Sequence, residues 1–146
     1  MRTRLLLILA VALSCLTGTA HAAQPSHIDD PDRFSHQIFT LITQAKFQEV
    51  AAQLSGSVGS PERSADFENS LKELDGKKFD FGEKVYDKDY NGALRQIVYY
   101  TYVENFGFVY FRFSFKMTSR GWYLTNFLFK ESSDELFPKD LIEGPS

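Results

Sequence analysis

The 146-residue sequence contains a single cysteine, Cys15, which lies in its first apolar stretch. One cysteine cannot form an intramolecular disulfide, and it cannot supply the several thiolates of a cysteine-based zinc site. If residues 1–22 are removed as a signal peptide, no thiol remains for nucleophilic chemistry. A domain without disulfides must be stabilised by its hydrophobic core, and the remaining ~124 residues are enough to form one.

Histidines are also scarce, and the common catalytic motifs are missing. The three histidines are His21, His27 and His36. We predict no metal site, because His21 would leave with the signal peptide and His27 lies in a flexible leader. The sequence contains no nucleophile-elbow, zinc-protease, phosphate-loop or dinucleotide-binding glycine motif. We therefore predict no catalytic residues and no cofactor, and we favour a non-enzymatic function.

Basic residues are outnumbered, with 16 Lys and Arg against 19 Asp and Glu and a net charge of −3. Loss of Arg2 and Arg4 with the signal peptide would lower the net charge to −5. An acidic chain is a poor match for nucleic acid or an anionic membrane surface. We predict neither as a partner, and no later segment is long enough to be a transmembrane helix.

The first 22 residues have the pattern of a secretory signal peptide. Two arginines precede an uncharged, mostly apolar run over 5–16, and Ala20-His21-Ala22 fits the small-x-small rule of signal peptidase. We predict cleavage after Ala22 and a secreted or periplasmic protein. The alternative is lipid anchoring at Cys15, although bacterial lipoproteins usually carry leucine where this chain has Ala12.

Two helices are predicted after a flexible leader over 23–30. Asp29 or Asp30 followed by Pro31 is a favourable helix start, and it opens a first helix over about 31–54. Ser60-Pro61 repeats this pattern and opens a second helix to about Asp75. Apolar residues recur there at steps of three and four, as on one helix face: Phe34, Ile38, Leu41, Ile42, Ala45, Ala51 and Leu54, then Phe67, Leu71 and Leu74.

From Lys77 to Glu131 the apolar period changes to two, which indicates β-strands. Nine of the nineteen residues over 97–115 are aromatic. Gly92, Gly107 and Gly121 divide the region into four strands, and we predict three-residue hairpin loops that end at these glycines. A two-residue loop at Asn91-Gly92 is the alternative.

The loop lengths decide which side chains face the helices, because a one-residue slip reverses the two faces. Three-residue loops collect the apolar residues on one inner face: Phe79, Phe81, Val85, Ile97, Tyr99, Thr101, Val103, Val109, Phe111, Phe113, Phe115, Met117, Tyr123, Phe127 and Phe129. The two-residue alternative would add Asp80 and Lys84 to that face. We predict an α+β fold in which two N-terminal helices pack on one face of a four-stranded antiparallel meander. This single domain spans 31–131, and an acidic tail over 132–146 is loosely ordered unless Phe137 pins it.

The predicted outer face mixes aromatic and polar residues, a composition found at many interfaces. The interface candidates are Tyr100, Tyr102, Tyr110, Arg112, Trp122, Leu124 and Leu128. The predicted register places Arg112 opposite Tyr100, where a cation–π contact is expected. We predict a homodimer through this face. The alternative is an ordinary solvent-facing sheet surface with scattered aromatic residues.

Several polar residues belong to the predicted inner face: Glu83, Tyr99, Thr101, Tyr123 and Thr125. They bond one another and the backbone, or they line a pocket for a small apolar ligand. In such a pocket Glu83 could act as a base beside the Tyr99 phenol. The pocket would imply a small-molecule carrier or an isomerase- or dehydratase-like enzyme.

The closing hairpin carries a family resemblance. Tyr110 is followed by the alternating Phe111, Phe113 and Phe115, and then by Gly121-Trp122-Tyr123-Leu124 with Phe127 and Phe129. This pattern after two helices resembles the nuclear-transport-factor-2-like superfamily, whose fold is the cystatin-like roll. The resemblance covers roughly 31–131. It implies a small exported bacterial protein, an enzyme with an inward Asp or His beside Tyr, or a dimeric binding domain. An inward Asp–His or Asp–Tyr set is missing here, so we predict a binding domain.

Overall fold

The computed structural model describes residues 24–137, apart from the side chain of Glu135, and places three α-helices before four β-strands. The strands are β1 (Phe79–Tyr90), β2 (Leu94–Val103), β3 (Gly107–Thr118) and β4 (Gly121–Lys130). They form one antiparallel sheet in the order β1-β2-β3-β4. The predicted α+β class and meander are confirmed. The predicted signal peptide, the candidate lipid site and the tail beyond 137 lie outside the described residues.

The first helix, α1 (Pro31–Thr43), begins where the sequence predicts. The Asp30 carboxylate accepts hydrogen bonds from the amides of Asp32 and Arg33, at 2.9 and 3.2 Å. Pro31 occupies the first helical position, where a missing amide hydrogen costs nothing. Asp30, rather than Asp29, is therefore the cap.

The predicted long first helix is wrong, because a second helix, α2 (Phe47–Ser57), starts after a break. Ala45 adopts a left-handed conformation with φ 55°. The amides of Lys46 and Ala45 donate to the carbonyls of Leu41 and Ile42, both at 2.9 Å. This is a Schellman end, which usually has glycine at the left-handed position. Because alanine rather than glycine occupies this position, the sequence does not predict that the helix ends here.

The second predicted helix is confirmed as a helical segment with a short α-helical centre. Helix α3 (Ser64–Leu71) is flanked by 3-10 turns over Pro61–Arg63 and Lys72–Leu74. Leu71 and Leu74 are buried, as predicted. Gly76 follows in a left-handed conformation with φ 67° and ends the segment.

The hairpin loops differ from the predicted ones by one residue each. The first two have three residues, Asn91–Ala93 and Glu104–Phe106, and each is displaced by one position. The third has two residues, Ser119 and Arg120, since Thr118 pairs directly with Gly121. Because each of the first two loops keeps its length and is shifted as a whole, the side chains of β2 and β3 keep their predicted faces.

The inner faces of β2 and β3 form the centre of the core, as predicted. Phe39 of α1 stacks on Tyr99 with ring centroids 4.6 Å apart and meets Phe111 edge-on at 5.9 Å. All but one of the predicted inner residues of these two strands are buried: Ile97, Tyr99, Thr101, Val103, Val109, Phe111, Phe113 and Phe115. The exception is Met117, near the end of β3, which is 42% exposed and does not join the core as predicted. The helices therefore cover a continuous aromatic surface.

Two register shifts in β1 overturn its predicted facing. They fall between Phe79 and Phe81 and between Lys84 and Tyr86. Phe81 then lies opposite Tyr102 on the outer face, and Lys84 lies opposite Tyr99 on the inner one. Each β-bulge adds one unpaired residue, which reverses the alternation beyond it.

The two-residue third loop reverses the start of β4 relative to the prediction, and a third bulge, between the pairs formed by Ser114 and Phe115, restores the predicted register beyond it. Leu124 lies opposite Phe115 on the inner face and is 3% exposed, and Trp122 packs against the core. Tyr123 lies opposite Lys116 on the outer face. The predicted facing of these three β4 residues is therefore wrong.

Part of the predicted leader packs on the domain. The Ile28 amide donates to the Trp122 carbonyl at 2.7 Å, and this contact forms an isolated antiparallel bridge beside β4. The Ile28 side chain is buried in the core. Ile28 thus blunts the open edge of β4.

A segment that we call the C-terminal strap, Ser133–Phe137, returns over the outer face of the sheet. Leu136 is only 1% exposed, and the ring of Phe137 contacts the rings of Tyr86 and Tyr110. Val98 is on the outer face yet only 1% exposed, and its cross-strand neighbours Tyr86 and Arg112 both contact the strap. Phe137 therefore pins the start of the tail to the domain.

Gly82 provides a test of the bulged β1 register. A Cβ atom at this position would overlap the buried ring of Phe39, with Cε1 at 2.8 Å, and would lie 3.0 Å from the Tyr100 carbonyl oxygen. We expect Gly82→Ala to lower the free energy of unfolding by about 1–3 kcal/mol, because a packed core does not yield to an added methyl group. Urea unfolding followed by tryptophan fluorescence measures the change.

Gly56→Ala is the matched control. Gly56 is in helix α2, and a Cβ there meets no atom within 4 Å. Alanine should stabilise this helix by about 0.5–1 kcal/mol. An equal, small effect of both substitutions would show that β1 does not approach Phe39 in this way.

Candidate functional site

Four aromatic side chains form an exposed cluster on the outer face, which we call the aromatic patch: Phe81, Tyr100, Tyr102 and Phe108. Phe81 is 44% exposed and Phe108 is 45% exposed. Their neighbours Tyr100 and Tyr102 are half-buried. Large apolar side chains that expose nearly half their surface side by side are unusual, and such patches mark interaction sites.

The four rings of the patch form a connected set of ring contacts. The Phe81 ring lies edge-on to Tyr100 at 5.6 Å and to Phe108 at 6.4 Å, and Phe108 contacts Tyr102 at 5.3 Å. Tyr100 also lies 6.3 Å from Tyr110, which joins the patch to the ring contacts of the strap. Aromatic rings on paired strands brace one another, so the patch is a rigid surface.

The bulge between Phe79 and Phe81 assembles this patch. Without it, Phe81 would point to the helices, as the uninterrupted alternation of the sequence predicts. Phe81 was therefore missing from the predicted interface. A run of polar residues and glycine follows Phe81 in β1, and no sequence signal there marks the bulge.

The predicted interface residues separate into three groups. Tyr100 and Tyr102 belong to the patch, while Trp122 and Leu124 turn to the core. Tyr110, Arg112 and Leu128 face outward as predicted, and the strap contacts the first two. Arg112 lies opposite Val98 and Leu128 rather than Tyr100, so the predicted cross-strand pair with Tyr100 is wrong.

The predicted pocket residues do not converge between the sheet and the helices. Tyr99 and Thr101 are buried in the core, and the Thr101 hydroxyl donates to the Phe81 carbonyl. Glu83 lies opposite Tyr100 on the outer face, and Tyr123 also faces outward. Thr125 is exposed at the β4 bulge, where its hydroxyl donates to the Ser114 carbonyl at 3.1 Å.

A cleft of about 410 Å³ lies between helix α1 and strand β1, and both Glu83 and Tyr99 are among its lining residues. Its other lining residues are Asp32, His36, Phe39, Gly82 and Lys84. Burial raises the pKa of the Tyr99 phenol, so this group stays protonated at neutral pH. Within residues 24–137, no three His, Cys, Asp or Glu side chains come together as a metal site requires.

The charged groups beside this cleft satisfy one another. Lys84 Nζ lies 2.7 Å from Asp32 Oδ1 and 3.0 Å from Asp87 Oδ2, which ties α1 to β1. Arg95 donates from Nε and Nη2 to the two oxygens of Asp87, both at 2.8 Å. The hydrogen bonds of Arg95 lower the pKa of Asp87, and the hydrogen bond to Asp32 raises the pKa of Lys84. This arrangement is that of a structural ion-pair network.

Comparisons with protein-family models, with curated proteins and with solved structures find no match to this chain. Across the part of the chain that the structure describes, the helices are too short or too polar to span a bilayer. The geometry supports the aromatic patch best as the candidate site, because Phe81 and Phe108 lie side by side and each exposes nearly half of its surface.

The Asp87 pair should make stability depend on pH on the acid side. The folded-state pKa of Asp87 is lowered, so its stabilising effect is complete above the unfolded pKa of about 4 and is lost as the pH falls through the folded value. We expect Asp87→Asn to cost about 1 kcal/mol at pH 7, as a partly exposed ion pair does, and progressively less below pH ~4. Urea unfolding at pH 7, 5 and 3 measures the difference from the wild type.

Asp80→Asn, at an exposed position of the same strand, serves as the control for loss of one negative charge. Its effect should be smaller and should change little with pH. A cost of Asp87→Asn that stays constant from pH 7 to pH 3 would contradict the assigned network.

Proposed function

We propose that this chain is a non-catalytic binding domain that associates as a homodimer through the aromatic patch. The observation that carries the proposal is the contiguous exposure of Phe81 and Phe108, braced by Tyr100 and Tyr102. Scattered exposed apolar residues are ordinary, whereas a contiguous set on a rigid sheet surface is typical of an interface.

The chemistry of the patch favours a protein partner. An aromatic surface on a chain with net charge −3 does not attract nucleic acid or anionic lipid. Its rings can bury themselves against other rings in edge-to-face contact. A second copy presents the same surface, and a two-fold axis brings one patch onto the other.

The size of the patch sets the expected strength of the dimer. Four partly exposed rings offer a few hundred Å², less than the ~800 Å² per partner of a standard interface. Residues around the patch must therefore contribute as well. We expect a dimer that dissociates in the micromolar range and exchanges readily.

The proposed location is outside the cytoplasm. The basic start, apolar run and Ala20-His21-Ala22 site support export and removal of residues 1–22. Retention of a lipid at Cys15 would instead hold the protein on a membrane. The mass of the mature N-terminus separates the two routes.

A second candidate function rests on the cleft between α1 and β1. Its volume of about 410 Å³ is within the range of small-ligand sites, roughly 300–1,000 Å³. Phe39 and Tyr99 give it an apolar floor, and Lys84 and Asp32 give it a charged rim. A thermal-shift screen against small apolar metabolites tests this carrier function, since a ligand that binds the native state raises Tm.

Substitution within the patch tests the dimer. Phe108→Glu places a charge at the centre of the proposed interface and should keep the protein monomeric, because a buried unpaired carboxylate is strongly unfavourable. We expect the wild-type weight-average mass to rise from one chain toward two between about 5 and 500 µM, a range chosen for micromolar affinity. Sedimentation equilibrium measures both proteins.

Met117→Glu is the matched control on the same strand. Met117 is 42% exposed, close to the 45% of Phe108, but it lies at the opposite end of β3 and on the other face. The control should dimerise like the wild type. A wild-type mass of one chain over the whole range, or equal dimerisation of Phe108→Glu, would refute the proposed interface.

A further inference from the structure

The C-terminal strap is held on the outer face mainly by two side chains. Leu136 is 1% exposed, and the Phe137 ring lies edge-on to Tyr86 at 5.9 Å and to Tyr110 at 6.1 Å. The amides of Leu136 and Phe137 donate to the Ser133 carbonyl at 2.9 and 3.1 Å. These hydrogen bonds close the turn of the strap itself and do not attach it to a strand.

Arg112, below the strap, has donors without good acceptors. Its Nε is buried and has no hydrogen-bond partner among the described residues. Its Nη1 lies 3.4 Å from the Leu136 carbonyl oxygen and its Nη2 lies 3.5 Å from Asn126 Oδ1, both at the limit of a hydrogen bond. A guanidinium keeps its charge and has five N–H donors, so a buried donor left unpaired is unfavourable.

Arg95 shows the arrangement that Arg112 lacks. The Nε and Nη2 groups of Arg95 donate side by side to the two oxygens of Asp87, both at 2.8 Å. This two-pronged geometry is the strongest contact that a guanidinium makes with a carboxylate. Of the same two nitrogens of Arg112, Nη2 lies 3.5 Å from the carboxamide oxygen of Asn126 and Nε has no partner among the described residues.

We propose that the surface under the strap is a binding site for an extended acidic and apolar peptide segment of a partner protein, with the strap as its built-in competitor. We call this surface the strap seat: Tyr86, Val98, Tyr110, Arg112 and Leu128. An apolar side chain of the partner replaces Leu136, and a carboxylate of the partner accepts from Nε and Nη2 of Arg112. The proposal is independent of dimerisation through the aromatic patch.

The present occupant identifies the class of ligand. The strap is itself a peptide segment with consecutive leucine and phenylalanine side chains, and its Leu136 is buried. What it does not supply, within the described residues, is a carboxylate for Arg112. A partner segment that provides both features would bind better than the strap does.

The tether of the strap determines how the competition works. A segment joined by a short linker has an effective concentration of about millimolar at its own site. The apparent affinity of a partner is then reduced by the fraction of molecules in which the seat is open. Weakening the strap should therefore increase partner affinity, although no residue of the seat has changed.

Fluorescence anisotropy with two labelled peptides tests the site on the full chain. The acidic probe is Ser-Ser-Asn-Gln-Leu-Phe with a free carboxyl end, which supplies a carboxylate that the strap lacks because the chain continues after Phe137. The matched probe is the same peptide with an amide end. The strap-weakened protein carries Leu136→Ser and Phe137→Ser. We expect the acidic probe to bind this variant at least about tenfold more tightly than it binds the wild type. We also expect the affinity of the acidic probe for this variant to be at least about tenfold higher than that of the matched probe.

Adding Arg112→Gln to the strap-weakened protein should abolish the preference for the acidic probe and leave apolar binding in place. Equal affinity of the two probes before that substitution would overturn the carboxylate site. Failure of the acidic probe to bind the strap-weakened protein at about 1 mM would overturn the whole proposal. That concentration corresponds to the weakest binding expected of a free peptide.

Two further measurements keep the outcome decisive. If circular dichroism shows that the double substitution unfolds the chain, Phe137→Ala alone replaces it and should give a smaller gain in affinity. Phe108→Glu added to the strap-weakened protein should leave its affinity for the acidic probe unchanged, because Phe108 is outside the strap seat. Loss of probe binding in Phe108→Glu would show that the probe occupies the aromatic patch, and it would refute the seat while leaving the dimer to its own test.

Discussion

The stacking of Phe39 on Tyr99 determines how the helices lie on the sheet. The two rings are nearly parallel, with centroids 4.6 Å apart, and both residues are buried. Phe39 can reach Tyr99 only because β1 has no side chain at Gly82, where the helix passes close to the strand. The ion pair from Lys84 to Asp32 then holds the first turn of α1 against the same strand. The cleft between α1 and β1 lies at the edge of the packing between this helix and the sheet.

The three bulges follow from the same requirement. A long sheet that wraps its inner face around helices must twist and bend, and bulges concentrate the bend at a few residues. In β1 the bulges place Gly82 and Lys84 toward the helix and release Phe81 to the outer face. In β4 the bulge turns Leu124 inward, where it completes the core beside Phe115. The aromatic patch is thus a consequence of how the core is closed.

Because bulges and loop lengths decide which face a side chain occupies, the sequence predicts the faces of only the regular strands. The inner faces of β2 and β3 alternate without interruption, so their buried residues were predictable from period and composition. The meander and its glycine-marked turns were predictable for the same reason. The break at Ala45 was not, because a left-handed alanine has no propensity signal and is stabilised by tertiary packing.

The candidate site was predictable only where no bulge intervened. Tyr100, Tyr102 and Arg112 lie on regular parts of β2 and β3, and their outward facing was predicted correctly. Phe81 and Glu83 lie between the two bulges of β1, and the sequence pattern assigns both to the wrong face. The same is true of Trp122, Tyr123 and Leu124, which lie between the two-residue loop and the bulge of β4. A bulge depends on how two strands fit a third element, so a strand read alone does not reveal it.

The two halves of the outer face show that its exposure is selective. Val98 is only 1% exposed, although it is smaller than any member of the patch, and its cross-strand neighbours Tyr86 and Arg112 contact the strap. The chain leaves Phe81 and Phe108 exposed, although burial of a phenylalanine side chain would contribute about 2 kcal/mol of stability. Both halves are built from the same strands and share the contact between Tyr100 and Tyr110. The strap lies over one half and leaves the larger rings of the other in water, and the proposed association through the aromatic patch depends on this contrast.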